Sequence, residues 1–154
     1  RNVASIMINL VLQGRQPIIY GDGKQKRCFS DIRDVIGPLV KMLDEKEIVG
    51  EVINVGPDEE FIEINTLAMK ISDMIGCKHH PIYVPCRPRE VKNASCSAKK
   101  ARKLLNYSTK YKLDDSLQEM INWIRKRGPK QFEYHLDLEI PNDLCPSTWK
   151  NKVF

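Results

Sequence analysis

The apolar run Pro17-Ile18-Ile19-Tyr20 breaks off at Gly21-Asp22-Gly23, and the chain then passes through Lys24, Gln25 and Lys26 to Arg27 and Phe29. A short β-branched run stopped by glycines reads as a brief strand and a tight turn. The other strand candidates are equally short: Arg27 to Ile32, Val52 to Val55 and Ile82 to Val84. They alternate with longer helical stripes but form no regular strand–helix–strand series. That pattern argues against a complete doubly wound sheet. It predicts a small mixed α/β domain, with several helices around a few short strands.

Apolar residues recur at helical spacing in several places. Val3, Ile6, Met7, Leu10 and Val11 predict a helix over residues 2–13, closed by Gly14. Val35, Leu39, Val40 and Leu43 place a second helix at 34–46, where Pro38 is awkward unless the helix starts late or its first turn is irregular. The clearest stripe is Ile64, Leu67, Ala68, Ile71 and Ile75, with Gly76 as its stop and Asn65 or Thr66 as its cap. Ser97 to Leu105, capped by Ser97, and Leu113 to Arg125 complete the set, and Gly128-Pro129 ends the last. These elements set a domain at 1–127. Residues 128–154 mix aromatics and charges without a period and read as an ordered but irregular tail, or as one that packs on a partner.

Composition removes several function classes. No apolar run approaches the roughly 20 residues that span a bilayer. The chain opens Arg1-Asn2-Val3-Ala4 without a cleavage pattern or an initiator Met, so the expectation is a piece of something longer. Cysteines stand at 28, 77, 86, 96 and 145, an odd count with no CxxC pair. Reduced thiols in a cytoplasmic protein fit this better than a disulfide framework or a zinc site. His79-His80 lacks a third ligand at suitable spacing, so no metal is assigned. The net charge of +5 reads as a solvated basic face rather than a nucleic-acid surface, because no aromatic-basic platform accompanies it.

Two arginines carry the chemistry. Arg27 follows the glycine turn, and Arg87 precedes Pro88, which biases Arg87 toward an extended backbone. A guanidinium stays charged and forks onto phosphate oxygens, so two arginines held by such elements can grip a diphosphate from two sides. The plain alternatives are surface pairing of Arg27 with Asp22 or Asp31, and a charged loop in which Arg89 pairs with Glu90.

The order of these segments resembles the C-terminal substrate-binding part of the extended short-chain dehydrogenase/reductase family, which includes nucleotide-sugar epimerases, 4,6-dehydratases and decarboxylases. The residues that carry the likeness are Pro17 to Gln25 followed by Arg27 and Phe29, then Asp34-Val35, Gly50 to Gly56, Arg87-Pro88-Arg89-Glu90-Val91, Ala101 to Tyr107 and Leu117 to Trp123. The stretch from Arg87 to Tyr107 is most similar to UDP-glucose 4-epimerase-like proteins. The resemblance implies that Arg27 and Arg87 bind the diphosphate of a UDP-hexose. It also implies that Glu90 meets the ribose hydroxyls, and that Ile18, Tyr20 and Phe29 line the nucleoside; from the residues alone, Tyr20 and Phe29 read more readily as core. Cys28 departs from the family, which commonly has aspartate there.

The resemblance further implies a parent enzyme that uses NAD, with the Rossmann domain N-terminal to this segment. No glycine-rich GxxGxxG turn is present, and no Tyr-x-x-x-Lys: Tyr107 is followed by Lys110 and Tyr111 by Lys112. The expectation is therefore a segment with no catalytic residue and no cofactor of its own. A dTDP-sugar 4,6-dehydratase or UDP-glucuronate decarboxylase parent stays open, as does a non-catalytic nucleotide-sugar-binding or interaction module. Separated from its partner domain, such a segment is expected to expose an apolar patch and to self-associate.

Overall fold

The helical stripes with the cleanest period fold against one another. A computed structural model describes residues 2–78, 80–134, 137 and 142–153. Its helices are α1 (Val3–Leu12), α2 (Ile32–Asp44), α3 (Ile64–Ile75), α4 (Lys99–Leu105), α5 (Leu113–Arg127) and α6 (Ser147–Lys150). Its strands are β1 (Ile18–Tyr20), β2 (Lys26–Arg27), β3 (Ile62–Glu63), β4 (Ile82–Val84) and β5 (Asn93–Ala94). This is the mixed α/β class expected from the short strands. No described helix is long and apolar enough to cross a membrane.

The core is built from α1, α3 and α5. Met7, Ile8 and Val11 meet Leu67 and Ile71, and Leu117 and Ile121 close the cluster, with Ile19 of β1 joining it. Each such side chain contributes about 1.5–3 kcal/mol when fully buried. The α1 stripe sits slightly off its predicted face, since Ala4 and Ile8 are buried where Val3 and Ile6 were expected. Asn2 caps α1 by accepting from the Ala4 amide at 2.9 Å. Gly76 ends α3 in the left-handed region, at φ 81°.

The strands form two small sheets. β1 pairs in parallel with β4, Ile19 opposite Tyr83. β2 lies between β3, antiparallel, and β5, parallel, so that Arg27 stands opposite both Ile62 and Ala94. Paired residues of β2 and β5 are 67 positions apart in the chain, and their pairing brings the two arginine-bearing segments side by side.

Several expectations are corrected. The strand predicted from Arg27 to Ile32 ends at Arg27, because Asp31 caps α2 and pulls Ile32 into the helix. α2 starts two residues before the predicted 34 and runs through Pro38. Its buried residues are Asp34 and Pro38, not the apolar stripe: Leu39, Val40 and Leu43 face outward with Ile32 and Ile36, and Leu43 is 84% exposed. The Asp34 carboxylate explains the rotation, since it accepts from the backbone amides of Lys110 and Tyr111 at 3.1 and 3.2 Å. Val52 to Val55 forms no ladder with any described strand. Ile53 and Val55 still point inward against Ala98, Ala101 and Tyr107, while Val52 is 84% exposed. Neither Asn65 nor Thr66 caps α3, whose N-cap is Glu63, without a side-chain bond. α4 begins at Lys99, so Ser97 stands one residue before the N-cap Ala98; its hydroxyl still accepts from the Lys99 amide at 3.4 Å, and Asp58 accepts from the Ala98 amide at 2.7 Å.

Part of the tail returns to the domain. Lys130 exchanges hydrogen bonds with the Asn9 side chain, and Arg15 donates to the Val153 carbonyl at 3.2 Å. Thr148 of α6 is fully buried, its hydroxyl bonded to that of Tyr20. Arg1, His79 and Phe154 lie outside the described residues.

Asp31 ties α2 to α5. Its carboxylate accepts from the Arg33 amide at 2.9 Å, from the Arg33 guanidinium at 2.7 and 2.8 Å, and from the Ser116 hydroxyl at 2.6 Å. The Arg33 guanidinium holds this carboxyl well below its usual 3.8, against the opposing push of burial. A depressed folded-state value means that the stabilisation is full above the unfolded pKa and drains as pH falls through the folded one. Asp31→Ala should cost about 1–2 kcal/mol at pH 7. Urea titrations should show the gap from the unsubstituted protein narrowing below about pH 4; a gap constant down to pH 2 would contradict this role.

Candidate functional site

The glycine turn after β1 is held by the start of α3. The first amides of a helix have no partner within it, and here they bond the turn: Ile64 donates to the Gln25 carbonyl at 3.1 Å and Asn65 to the Gly23 carbonyl at 3.0 Å. The Asn65 side chain also donates to the Asp22 carbonyl at 2.9 Å and accepts from the Tyr83 hydroxyl at 3.1 Å. Asp22 accepts from the Lys24 amide at 3.0 Å, which closes the turn from within. Gly21 and Gly23 have φ of 63° and 71°. A Cβ on Gly23 would sit 2.0 Å from the Asn65 amide oxygen, and one on Gly21 2.6 Å from Cys86 Sγ. The sequence Gly-Asp-Gly is thus dictated by backbone hand and by the closeness of two other segments.

This turn delivers Arg27 on β2 with its guanidinium already anchored. Nη1 donates to the Lys26 carbonyl at 2.8 Å and reaches the Lys92 carbonyl at 3.5 Å, and Nη2 donates to Glu90 Oε1 at 2.6 Å. Glu90 closes a turn that starts at Arg87: its amide donates to the Arg87 carbonyl at 3.2 Å. Pro88 supplies the fixed φ of the second position, and Arg89 takes the third at φ 57°, where glycine is the usual residue. Arg87 Nε lies 3.9 Å from Glu90 Oε2, and its guanidinium carbon is 4.3 Å from the Tyr20 ring centre. Thr148 binds the hydroxyl of that tyrosine. Thr148, Tyr20, Arg87, Glu90 and Arg27 therefore form one continuous chain of contacts.

Four of the six residues singled out from sequence meet in this cluster: Arg27, Arg87, Glu90 and Tyr20. Arg27 pairs with Glu90 rather than with Asp22 or Asp31, and Arg87 rather than Arg89 reaches Glu90. Tyr20 is buried, with Arg87 over its ring. Ile18 is half-buried at the start of β1, opposite Ile82. Phe29 goes elsewhere. It packs on the main core and lines a cavity of 340 Å³ with Pro57, Ile62, Tyr111 and Leu113. Cys28 is half-buried, and burial followed by the charge of Cys96 pushes its thiol up. Among the described residues no group of His, Cys, Asp and Glu could hold a metal ion. Asn65, Tyr83 and Thr148 were not legible as site residues, since each acts through a contact that only the tertiary fold creates.

Two substitutions test this geometry in opposite directions. Gly23→Ala should destabilise by at least about 2 kcal/mol, from the left-handed backbone and the collision with Asn65 together. Arg89→Gly should stabilise by about 0.5–1 kcal/mol, because it relieves the positive φ at a modest entropic cost. Urea unfolding of both variants reads each value, and a loss of stability in Arg89→Gly would refute the turn.

A family model described as GDP-mannose 4,6 dehydratase matches residues 1–120. A UDP-N-acetyl-alpha-D-glucosaminuronate decarboxylase of Bacillus cytotoxicus is 29% identical over 125 residues, covering 77% of this chain and 38% of that protein. A UDP-glucuronate 4-epimerase of Thermodesulfobacterium geofontis is 31% identical over 108 residues, covering 70% of this chain and 33% of that protein. The crystal structure of UDP-glucuronic acid 4-epimerase from Bacillus cereus, in complex with UDP-glucuronic acid and NAD, superposes with a TM-score of 0.77 at 30% identity, over 82% of this chain and 40% of that one. The chain thus spans two fifths or less of the length of these relatives. The match across residues 1–120, with the fold that bears it out, shows that the chain belongs to the extended short-chain dehydrogenase/reductase family of nucleotide-sugar epimerases and dehydratases.

Proposed function

We propose that this chain is the nucleotide-sugar-binding part of a NAD-dependent enzyme, with a UDP-hexose as substrate and 4-epimerisation as the reaction favoured. The observation that carries this reading is the Arg27–Glu90–Arg87 cluster, in which two guanidiniums flank one carboxylate at the end of β1 and β2. Arg27 and Arg87 take the diphosphate oxygens by charge-assisted hydrogen bonds. Glu90 accepts from the ribose hydroxyls. The end of β1, from Ile18 to Tyr20, faces the base, with Tyr20 as the platform that aims Arg87. Held at the diphosphate, the sugar ring is presented in a fixed position to groups outside this chain.

The dinucleotide cofactor does not fit the residues described here. A dinucleotide's pyrophosphate needs a strand, a glycine-rich turn and a helix N-terminus in succession. The glycine turn after β1 leads into β2 instead, and its carbonyls already use the first amides of α3. β3 runs directly into α3 without a glycine. NAD binding and the chemistry at the sugar carbon are therefore assigned to another part of the enzyme, and this chain alone is expected to be inactive. The outward apolar face of α2, with Val49 and Val52 nearby in sequence, supports a docked partner region; left bare, that face promotes self-association.

A dTDP-sugar 4,6-dehydratase or UDP-glucuronate decarboxylase parent would use the same grip, and the decarboxylase among the relatives keeps that second reading in play. A product assay on the full-length protein with UDP-glucose, UDP-glucuronate and dTDP-glucose separates them. Arg27→Ala in that protein should weaken UDP binding by about 10- to 100-fold, the loss of one charge-assisted pair worth about 1.5–3 kcal/mol. Unchanged affinity by calorimetry would take Arg27 out of the site.

A further inference from the structure

We propose that Glu90 is an internal stand-in for the ligand's phosphate, and that it makes the arginine pair selective for a diphosphate that carries a nucleoside. The inference rests on the nucleotide-sugar reading above and adds how the same site rejects simple anions. Its basis is an asymmetry in how the three side chains are held.

Each arginine has an anchor that does not involve Glu90. Arg27 is fixed by the carbonyls of Lys26 and Lys92, at 2.8 and 3.5 Å. Arg87 rests on the ring of Tyr20, whose hydroxyl is bonded to the buried Thr148. The Glu90 carboxylate, by contrast, is held by the two guanidiniums, at 2.6 and 3.9 Å. It sits 23% exposed at the end of a surface turn, so it can swing away while both arginines stay aimed. Its two oxygens divide between two guanidiniums as the oxygens of a bridging phosphate would.

Selectivity follows from what an incoming anion offers in exchange. Pyrophosphate must displace Glu90 and leaves its carboxylate without a partner beside newly bound negative charge. A nucleoside diphosphate displaces it too, but supplies ribose hydroxyls that donate to the released carboxylate. The carboxylate therefore raises the cost of binding for every anion and refunds it only to one that brings a sugar.

The test compares sodium pyrophosphate and UDP by calorimetry at one ionic strength, in the full-length protein and in its Glu90→Gln and Glu90→Ala variants. Removing the carboxylate should tighten pyrophosphate binding by about tenfold or more, and UDP binding by much less or not at all. Circular dichroism establishes that each variant is folded. Pyrophosphate affinity unchanged or weakened in both folded variants would overturn the inference, and so would equal tightening for pyrophosphate and UDP. Failure of the unsubstituted protein to bind UDP would instead remove the nucleotide reading. The pyrophosphate comparison would still decide whether Glu90 masks the arginines.

Discussion

The start of α3 is the point on which the site depends. Its free amides bond the carbonyls of Gly23 and Gln25, and the Asn65 side chain adds a bond to Asp22. One turn further along, Leu67, Ala68 and Ile71 are buried against α1 and α5. The rigidity of the hydrophobic core is thus passed through one helix end to the turn that carries Arg27. A helix terminus that would otherwise need a capping side chain is satisfied by the loop itself. This explains why α3 lacks a side-chain cap and why the loop must be glycine-rich: a side chain on Gly23 would occupy the space that Asn65 fills.

A second organising feature is the way short strands recruit distant segments. β2 is only two residues long, yet it sits between β3 and β5 and fixes Arg27 beside the turn from Arg87 to Glu90. Sheets this small contribute little stability alone. Their role here is register, and the packed helices supply the energy. The opposite situation holds at residues 52–55, where inward Ile53 and Val55 alternate with outward residues but no ladder forms within the described chain. That segment and the apolar face of α2 present strand-like and apolar surface that no described residue covers.

Elements governed by local chemistry were legible in the sequence. The stripes of α1, α3 and α5, the stop at Gly76, the strand before Gly21 and the turn itself all follow from spacing and from glycine. Likeness to a known family singled out Arg27, Arg87 and Glu90, and the fold brings these three side chains together. The misses share one cause. Asp34 rotated α2 by bonding amides some seventy-six residues away, and Thr148 crossed the chain to reach Tyr20. In each case a polar side chain settled an element through a tertiary contact, which periodicity does not register. Contacts of this kind also place described residues of the tail, at Lys130, Thr148 and Val153.

In the proposed site, Arg27 and Arg87 grip a nucleotide diphosphate on opposite sides of the place now held by Glu90. A crystal structure of the full-length protein with UDP tests it most directly. The account predicts phosphate oxygens within hydrogen-bond distance of both guanidiniums, with the Glu90 carboxylate moved off Arg27 toward the ribose. A diphosphate bound elsewhere, with the Arg27–Glu90 pair intact at 2.6 Å, would contradict it.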